Sequence, residues 1–411
     1  MTKRNEEWQY MDTLRPPVYV CLRRKADSNG VVPRLKIDGR VDKEEWSHVP
    51  WSDAFVDIEG VVKKPTVYPL TRMKMMYDDQ HLYIAAELVE KQIWGTILEK
   101  NATMYHENDF EVFLNPDGSR HNYYELELNC LNTIWELVLN KPYKDGYSIK
   151  NPYNLEHVQT AVYVDGVTND PQVECTKWSV EVCYRLSELV QFDRLRERPA
   201  RAGDVWRVNF SRVQYQLMTV LDEETNELQY AKVPDTREDN IVWAPTGVID
   251  IHRPEKWGFV LFSSASDEHE GILELNKAME TFLCEQIAME QILDTIYYDQ
   301  RTFHATHENY AESLEELYGK TEAFPRLDLV EEFELSQPVI ERQSDPDATP
   351  VYTPRGVETS KKRVYSPRLD PDDEEDARKP PLCRFYTVSI KSATQRWIMT
   401  QDALLRKIEA S

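Results

Sequence analysis

The sequence predicts a mainly β protein. An antiparallel β-sandwich is expected over residues 16–263, followed by a helical or α+β C-terminal unit with a disordered, acidic, Pro-rich insert. Two observations predict this order. Up to residue 263, short segments alternate apolar with polar residues and end in turn-forming residues, as antiparallel strands do. From residue 265 onward the apolar residues recur at helical spacing. Residues 1–15 are expected to be an N-terminal tail.

The β zone contains a series of strand-like segments separated by turn signals. The predicted strands cover residues 17–22, 72–77, 82–88, 110–114, 123–130, 133–139, 178–184, 205–215 and 257–262. Residues 78–81 and 115–118 are rich in Asp, Asn, Pro and Gly, which favour tight turns. Residues 41–46 are predicted to form a short acidic turn or helix that packs Trp46, and residues 186–195 a brief helix.

The C-terminal part divides into three predicted pieces. Residues 265–335 form a helical unit, in which apolar residues recur over about 30 positions and a second helix, at 310–317, ends at Gly319. Residues 338–381 are Pro-, Asp- and charge-rich, and such a composition cannot bury enough apolar surface to offset the entropy of ordering. Residues 382–411 are expected to contain two returning strands, at 383–390 and 396–399, and a C-terminal helix.

The net charge and the distribution of apolar residues exclude some classes of binding partner. The chain has 411 residues with 49 basic and 72 acidic side chains, a net charge of −23. This excess would repel a phosphate backbone, so nucleic acid is not an expected partner. No apolar window is long enough to span a bilayer, and the N-terminus lacks the apolar core of a signal peptide. The chain is therefore expected to be soluble and cytoplasmic, with its six scattered cysteines as mostly buried free thiols.

The sequence contains no common catalytic motif. A nucleophile elbow, a Walker loop, a dinucleotide-binding glycine pattern and a zinc-protease motif are all missing, and the chain has only 13 glycines. Paired carboxylates leave no sequence signature, so an enzyme is not excluded. The expectation is a binding protein that performs no catalysis.

Two strands predict a polar sheet face. Because alternate residues of a strand share one side, Glu125, Glu127 and Asn129 lie together, as do Asp109 and Glu111 on the neighbouring strand. Carboxylates and amides suit the hydroxyls of a sugar. The alternative is an ordinary solvated sheet face.

Aromatic side chains are the second requirement of a sugar site, because the C–H faces of sugar rings stack on Trp and Tyr. The candidates are Tyr105, Trp135, Trp243 and Trp257. The alternative for each tryptophan is the sandwich core.

Five motifs carry a family resemblance. They are LKIDGRVDKEEW, MMYDDQHLYIAAEL, ENDFEVFLNPDG, YYELELN and WGFVLF, in that order over residues 35–262. Together they resemble carbohydrate-binding module family 9, a β-sandwich that binds sugars without catalysis. The segments DVWRVNFSRVQY and IVWAPTGVIDIHRPEKWGFVLF are similar to one sub-family of these modules. The C-terminal extension lies outside the resemblance.

The resemblance implies a ligand site in which a sugar lies between two aromatic rings. Tyr105 stands at the position of the first aromatic residue and Glu111 at that of the strand acid. Glu127 replaces a basic residue of the family, and Ile251 and His252 stand where the second aromatic residue is expected. The full predicted carbohydrate site is Tyr105, Glu111, Glu127, Asn129, Asn132, Trp135, Trp243 and His252.

The resemblance also implies calcium, which several clustered oxygen ligands would bind. The predicted ligands are Glu90, Asn108 and Asp109. The alternative is that these acidic segments are merely solvated.

Three questions stay open at this stage. The strand-end residues Arg212, His252, Arg253 and Glu255 either replace lost ligand contacts or form structural ion pairs.

A protein-interaction scaffold is the second functional hypothesis, with residues 338–381, including Thr353-Pro354 and Ser366-Pro367, contacting a protein partner. A heme site using Met73, Met75, Met76 and His81 is the third, although a Met-rich strand is usually core packing.

Overall fold

The computed structural model describes residues 4–26, 32–320, 323–343 and 385–409. The chain divides into two compact units. One comprises Tyr10–Gln286, and the other combines the residues up to Gln9 with those from Ile287 onward.

The strands and helices follow the chain in this order. The strands are β1 (Val18–Arg23), β2 (Val56–Asp57), β3 (Thr71–Tyr77), β4 (His81–Val89), β5 (Asp109–Asn115), β6 (Tyr123–Asn129), β7 (Ile134–Leu139), β8 (Ile149–Lys150), β9 (Gln159–Asp165), β10 (Lys177–Arg185), β11 (Val205–Gln214), β12 (Leu217–Leu221), β13 (Leu228–Lys232), β14 (Asp239–Val242), β15 (Gly258–Phe262), β16 (Val339–Gln343), β17 (Phe385–Lys391), β18 (Gln395–Thr400) and β19 (Leu405–Glu409). The helices are α1 (Glu6–Met11), α2 (Leu186–Leu189), α3 (Glu268–Ala278), α4 (Cys284–His307), α5 (Leu314–Tyr318) and α6 (Leu327–Glu332).

A 13-stranded curled sheet dominates the first unit and confirms the predicted mainly β fold. Its main path runs β8-β7-β6-β5-β11-β15-β1-β3-β4-β10-β9. Strand β1 joins the two halves and is parallel to both β15 and β3, whereas the other pairs in this sheet are antiparallel. The parallel pairing of β1 is the departure from the all-antiparallel prediction.

The two halves of the sheet face each other across one apolar core, as in a sandwich. The second half contributes Met73, Met75, Ile84 and Val182 to this core, and the first half contributes Phe110, Val112, Leu126 and Phe210. Strict alternation along β5 and β6 supplies these residues, so the remaining residues of both strands point to the opposite face.

A second layer covers the outer face of β4 and β10. Trp46 is fully buried there among Tyr83, Ala85 and Cys183. Its indole Nε1 donates a hydrogen bond to Glu181 Oε1 at 2.7 Å, so the one polar atom of the ring is satisfied. The prediction that residues 41–46 pack Trp46 is confirmed.

Helix α3 belongs to the first unit, so this unit continues past the boundary at residue 263 that the sequence predicts. Gly271 lies against β1 so closely that an added Cβ would lie 2.4 Å from the side chain of Leu22. Glu274 accepts hydrogen bonds from Ser263 and Ser264. These contacts attach the helix to the end of the sheet.

The second unit contains most of α4, the helices α5 and α6, and a four-stranded antiparallel sheet, β16-β17-β18-β19. Helix α5 ends at Gly319, whose φ of 85° is the left-handed conformation that favours glycine. Trp8 stacks on Tyr298 with ring centroids 4.8 Å apart, and its Nε1 donates to Thr295 Oγ1 at 3.0 Å.

Three sequence expectations for the terminal regions are wrong. The predicted tail contains helix α1, because Trp8 buries its ring in the second unit. The predicted C-terminal helix is strand β19, which pairs with β18. Residues 339–343, placed at the start of the insert, form β16 and pair with β17. The rest of the insert, residues 344–381, lies outside the described residues.

The cysteines in the described ranges are free thiols, and all but Cys284 are buried: Cys21, Cys130, Cys175 and Cys183. Cys383 lies outside these ranges. No described helix is both long and apolar enough to cross a membrane.

Candidate functional site

The register of four strands gathers acidic side chains on the face of the sheet opposite the core. Glu111 of β5 lies directly across from Glu127 of β6. On either side, Val213 of β11 pairs with Asp109 and Trp135 of β7 pairs with Glu127. Asp109, Glu111, Glu125 and Glu127 together are called the acid cluster below. The predicted polar strand face is therefore present.

Three members of the acid cluster, Glu111, Glu125 and Glu127, line a cleft of about 300 Å³, called the acidic cleft. The lining residues come from strands and from loops: Ile58, Tyr105, Glu111, Glu125, Glu127, Trp135, Leu137, Tyr143, Val213, Arg237, Glu238, Asn240, Ile249, Asp250, Ile251 and His252. The acids are not a solvated sheet face, because the four residues are between 0% and 5% exposed. Loops remote in sequence cover them.

Burial raises the pKa of every carboxyl group in the cluster. It raises the pKa of Glu111 to about 7. The pKa of Glu125 rises to about 8, from burial first and from the charge of Glu111 second. The same two causes raise the pKa values of Asp109 and Glu127 well above the ordinary range. Desolvation thus opposes ionisation of each acid, and for Asp109, Glu125 and Glu127 the charge of a neighbouring acid adds to it.

The side chains of Glu125 and Glu127 share a hydrogen bond, which a protonated carboxyl group can donate. Asp109 Oδ2 is buried without a hydrogen-bond partner. The other oxygen of Asp109 accepts from the Val213 amide at 3.3 Å. Arg237 lines the cleft, but its side chain is 73% exposed and lies 3.4 Å from Glu238. The cluster is a concentration of buried acceptors that can receive donors or a cation.

Aromatic rings form part of the cleft wall. Tyr105 is 46% exposed, and its ring centroid lies 6.1 Å from that of Trp135. Trp135 is nearly buried and donates from Nε1 to Asn151 Oδ1 at 2.9 Å. Tyr143 packs edge-on against His252, with centroids 4.4 Å apart. The cleft therefore offers apolar ring surface beside polar atoms.

His252 lines the cleft with an uncharged imidazole ring. Burial lowers its pKa to about 4, so the imidazole is uncharged near neutral pH. Its Nδ1 lies 2.9 Å from the hydroxyl of Tyr123, whose own pKa burial raises well above its usual value. The tyrosine hydroxyl therefore keeps its proton and can donate a hydrogen bond to an unprotonated Nδ1 of the neutral ring.

Five of the eight predicted carbohydrate-site residues line the acidic cleft: Tyr105, Glu111, Glu127, Trp135 and His252. Asn129, Asn132 and Trp243 do not line this cleft. Trp243 is buried in the sandwich core near Phe210, as the alternative for any single tryptophan allowed. Asn132 occupies a turn with a φ of 62°.

Asn129 is on the predicted face but its amide is used within the fold. Its Nδ2 donates to Ile97 O at 2.8 Å and to Glu107 Oε1 at 2.6 Å. Its Oδ1 accepts from the amides of Leu131 and Thr133. The side chain thus fixes the β6–β7 turn and has no free group to offer a ligand.

The predicted calcium ligands do not form one group. Glu90 Oε2 accepts from Arg212 Nη2 at 2.6 Å, and Asn108 Oδ1 accepts from the Tyr215 amide at 2.7 Å. In the part of the chain that the structure describes, Asp109 instead clusters with Glu111 and Glu127, one oxygen of each lying within 4.8 Å of the others.

The strand-end residues act mainly as structural ion pairs. Arg212 is buried and binds Thr71 and Val89 as well as Glu90. Arg253 pairs with Asp250 at 2.9 Å. His252 is the member of this group that lines the cleft.

Sequence reasoning missed several wall residues, including Tyr143, Glu238 and Asp250. They lie outside regular strands, where no periodicity predicts the direction of a side chain. Glu125 is different, because its alternation with Glu127 places it on the same face. The predicted binding residues do not include Glu125, although the period of two indicates that it lies on this face.

A larger cleft of about 630 Å³ lies elsewhere, along Val89–Gln92 and residues 171–174. Its lining includes one aromatic residue, Tyr230. Its acids are paired: Glu90 binds Arg212 at 2.6 Å and Glu174 binds Lys91 at 2.8 Å. We therefore consider the acidic cleft the better candidate, although it is smaller.

Comparison with known proteins gives one family match. Residues 37–166 match the family model described as "Carbohydrate family 9 binding domain-like". No curated protein matches the chain.

Solved structures give weaker likenesses. A provisionally assigned carbohydrate-binding protein from Bacteroides uniformis is 13% identical, with 60% of this chain and 99% of that chain covered and a TM-score of 0.43. A family 9 carbohydrate-binding module from Caldicellulosiruptor kristjanssonii, in complex with cellotriose, is 15% identical, with coverages of 61% and 95% and a TM-score of 0.37. The same module with glucose gives 16% identity, coverages of 61% and 98%, and a TM-score of 0.37.

With TM-scores below 0.5, these likenesses carry no argument about this chain. The family match is the informative comparison. The matched residues, 37–166, include the whole acid cluster and the rings of Tyr105, Trp135 and Tyr143.

Proposed function

We propose that the chain binds a carbohydrate in the acidic cleft and performs no catalysis on it. The observation that carries this proposal is the combination, in one cleft of the family-matched domain, of exposed tyrosine rings with buried carboxyl oxygens. Rings stack on the C–H faces of a sugar, and carboxyl oxygens accept hydrogen bonds from its hydroxyls.

Tyr105 and Tyr143 are the stacking candidates, since they are 46% and 38% exposed. Tyr143 supplies aromatic surface in a cleft where Ile251 and His252 stand at the expected position of the second aromatic residue. Glu111 and Glu127 are the acceptor candidates. The acid at position 127, in place of a basic residue, favours a ligand with many donors over an anionic sugar.

The acid cluster supports binding better than hydrolysis. Glycoside hydrolysis needs one ionised carboxylate and one protonated carboxyl group, with environments that push their pKa values apart. Here burial raises all four pKa values, and repulsion adds to it for Asp109, Glu125 and Glu127. None of the four has a lowered pKa, so none is held ionised as a nucleophile or base would be.

The two other hypotheses have no comparable support. The scaffold hypothesis depends largely on residues 344–381, which lie outside the described residues. For the heme hypothesis, the side chains of Met73, Met75 and Met76 are fully buried in the core, and His81 lies 3.5 Å from Asp78.

The test is titration calorimetry of the full chain after a glycan-array survey of neutral mono- and oligosaccharides. A dissociation constant between about 1 mM and 1 μM, or roughly −4 to −8 kcal/mol, is expected for one or two stacked rings. Substrate and product analysis in the same samples should show that the sugar is unchanged. Absence of binding to every sugar on the array, or hydrolysis of the bound one, would overturn the proposal.

A further inference from the structure

We propose that the ligand of the acidic cleft is an amino sugar in its cationic form, bound through an ion pair between its ammonium group and the carboxylates of Glu111 and Glu127. The assignment of this class rests on the proposed function and goes beyond it in the charge of the sugar. Two features of the cleft support it: the charge of its lining, and the position of its aromatic rings beside the acids.

The charge of the cleft has one sign. Among the described residues that line it, five are acids: Glu111, Glu125, Glu127, Glu238 and Asp250. The lining also contains Arg237, but its side chain is 73% exposed and pairs with Glu238 at 3.4 Å. His252 is uncharged near neutral pH, because burial lowers its pKa to about 4. A ligand with a positive charge complements this lining, whereas an anionic sugar is repelled.

Aromatic rings lie beside the same acids. Trp135 is the direct partner of Glu127 across β6 and β7, and side chains of directly opposed residues lie close together on one face of a sheet. The ring of Tyr105 lies 6.1 Å from that of Trp135, between centroids. The faces of such rings attract an ammonium group within about 6 Å, and they also stack on the C–H face of a sugar. An amino sugar uses both properties at once.

The acids can take a negative charge near neutral pH. Burial raises the pKa of Glu111 to about 7 and that of Glu125 to about 8, so ionisation at pH 7 costs little free energy. A nearby ammonium group favours the carboxylate form further. A carboxyl group that is still protonated can transfer its proton to a neutral amine, and the same carboxylate–ammonium pair results. Glu125 and Glu127 share a hydrogen bond through one proton, so the pair can retain this proton while its second carboxyl group ionises.

A cationic side chain of another protein would match the charge equally well. The family match of residues 37–166 to a carbohydrate-binding domain favours the sugar. The volume of the cleft, about 300 Å³, lies at the lower end of the range of small-molecule sites. We therefore expect one charged sugar unit to occupy the cleft, and a lysine peptide serves as the competing ligand in the test.

The experiment is titration calorimetry of the full chain with three disaccharides that share one skeleton and differ at C2: the glucosamine disaccharide, its N-acetylated form and cellobiose. At pH 7 and about 150 mM NaCl, charges farther than about 8 Å are screened, so the net charge of −23 affects the comparison little. The glucosamine disaccharide should bind about tenfold more tightly than cellobiose, because charge-assisted hydrogen bonds are stronger than neutral ones. The N-acetylated form should bind no more tightly than cellobiose.

Two variants with the same change of charge locate the effect. Glu127→Gln should lower the preference for the glucosamine disaccharide over cellobiose by about fivefold or more. Glu174→Gln is the matched control, because Glu174 lines the other cleft and pairs with Lys91 at 2.8 Å; it should leave the preference unchanged. Circular dichroism and urea unfolding establish whether each variant folds, and Glu111→Gln decides the outcome if Glu127→Gln does not fold.

The outcomes separate this inference from the proposed function. Absence of binding to all three sugars contradicts the proposed function, and the amino-sugar assignment is lost with it. Binding of cellobiose as tightly as the glucosamine disaccharide leaves the proposed function in place and overturns the assignment. The assignment is also overturned if Glu127→Gln keeps the full preference, if Glu174→Gln loses it, or if a tetralysine peptide binds more tightly than the glucosamine disaccharide.

Discussion

At the scale of single residues, exposure separates the side chains that can meet a ligand from those that maintain the fold. Tyr105 is 46% exposed at the cleft wall, whereas Trp243 and Trp257 are buried. Tyr215 donates a hydrogen bond to the backbone carbonyl of Tyr105. This contact does not involve the Tyr105 ring, so it should survive substitution of the side chain. Its substitution should reveal a contribution to binding alone.

Tyr105→Ala should weaken sugar binding by about 1–3 kcal/mol, or roughly 5- to 150-fold, because an exposed ring contributes the apolar area that a sugar covers. The free energy of unfolding should change little. Titration calorimetry and urea unfolding measure the two effects. Tyr163→Ala, on β9 and outside the cleft lining, is the control. A large loss of stability without a loss of affinity would show that Tyr105 is a structural residue.

His252 predicts a pH dependence of stability with a definite sign. Its pKa in the folded chain is about 4, below the value of about 6.5 in an unfolded chain. Between these pH values the unfolded state binds more protons. The histidine therefore contributes stability above pH 6.5 that is lost as the pH falls toward 4.

The measurement is urea unfolding of the wild type and of His252→Gln between pH 4 and 7.5. The wild type should lose stability relative to the variant on acidification, by on the order of 1–3 kcal/mol because the ring is partly exposed. A difference between the two proteins that stays constant with pH would contradict the assignment of a neutral, half-buried imidazole.

At the scale of strands and turns, the period of two explains why part of the site could be predicted. Glu111 and Glu127 share a face because Phe110, Val112, Leu126 and Leu128 fill the core. The burial of the acids could not be predicted, because loops that include Tyr143 and residues 249–252 cover them. Loop residues carry no periodic signal, and their contacts depend on tertiary structure.

The wrong prediction at the C-terminus has a similar cause. Residues 405–409 read LRKIE, a segment too short and too mixed for either period to prevail. Their state is decided by pairing, since Ile398 and Met399 of β18 meet Arg406 and Leu405. Tertiary context overrides local propensity in such short segments.

The burial of Trp46, in the short segment before β2, predicts that the free energy of unfolding depends on this one ring. Trp46→Ala should lower the free energy of unfolding by about 3–5 kcal/mol, the usual cost of removing a buried tryptophan. The substitution also leaves Glu181 without its 2.7 Å donor. Sugar affinity of the folded fraction should stay unchanged, because Trp46 is not among the cleft residues.

Urea unfolding with Trp51→Ala as a control tests this prediction. Trp51 is half-buried and packs against Arg72 and Lys74, so its removal should cost less. Equal losses for both variants would mean that burial of Trp46 is not what stabilises this layer.

At the scale of the whole molecule, the family match is shorter than the structure that builds the cleft. The match covers residues 37–166, whereas Val213, Arg237, Asp250 and His252 also line the cleft. The compact unit that contains all of them is Tyr10–Gln286. The segment that matches the family model is therefore shorter than the compact unit that contains the cleft.

This difference predicts the behaviour of two fragments. A fragment of residues 37–166 should not fold, because it loses three neighbours of its central strands: β11 beside β5, β10 beside β4 and β1 beside β3. Each loss leaves an unpaired strand edge and exposes the apolar core. A fragment of residues 10–286 keeps every strand of the large sheet and should fold.

Circular dichroism with urea unfolding distinguishes the outcomes: a cooperative transition is expected for residues 10–286 and none for residues 37–166. The longer fragment should also keep the sugar affinity of the full chain, since it contains every lining residue of the acidic cleft. A cooperative transition in the shorter fragment would show that the matched segment is a folding unit by itself. Strands β10 and β11 would then be additions to a stable core, whereas the strand order places β11 between β5 and β15 and β10 between β4 and β9.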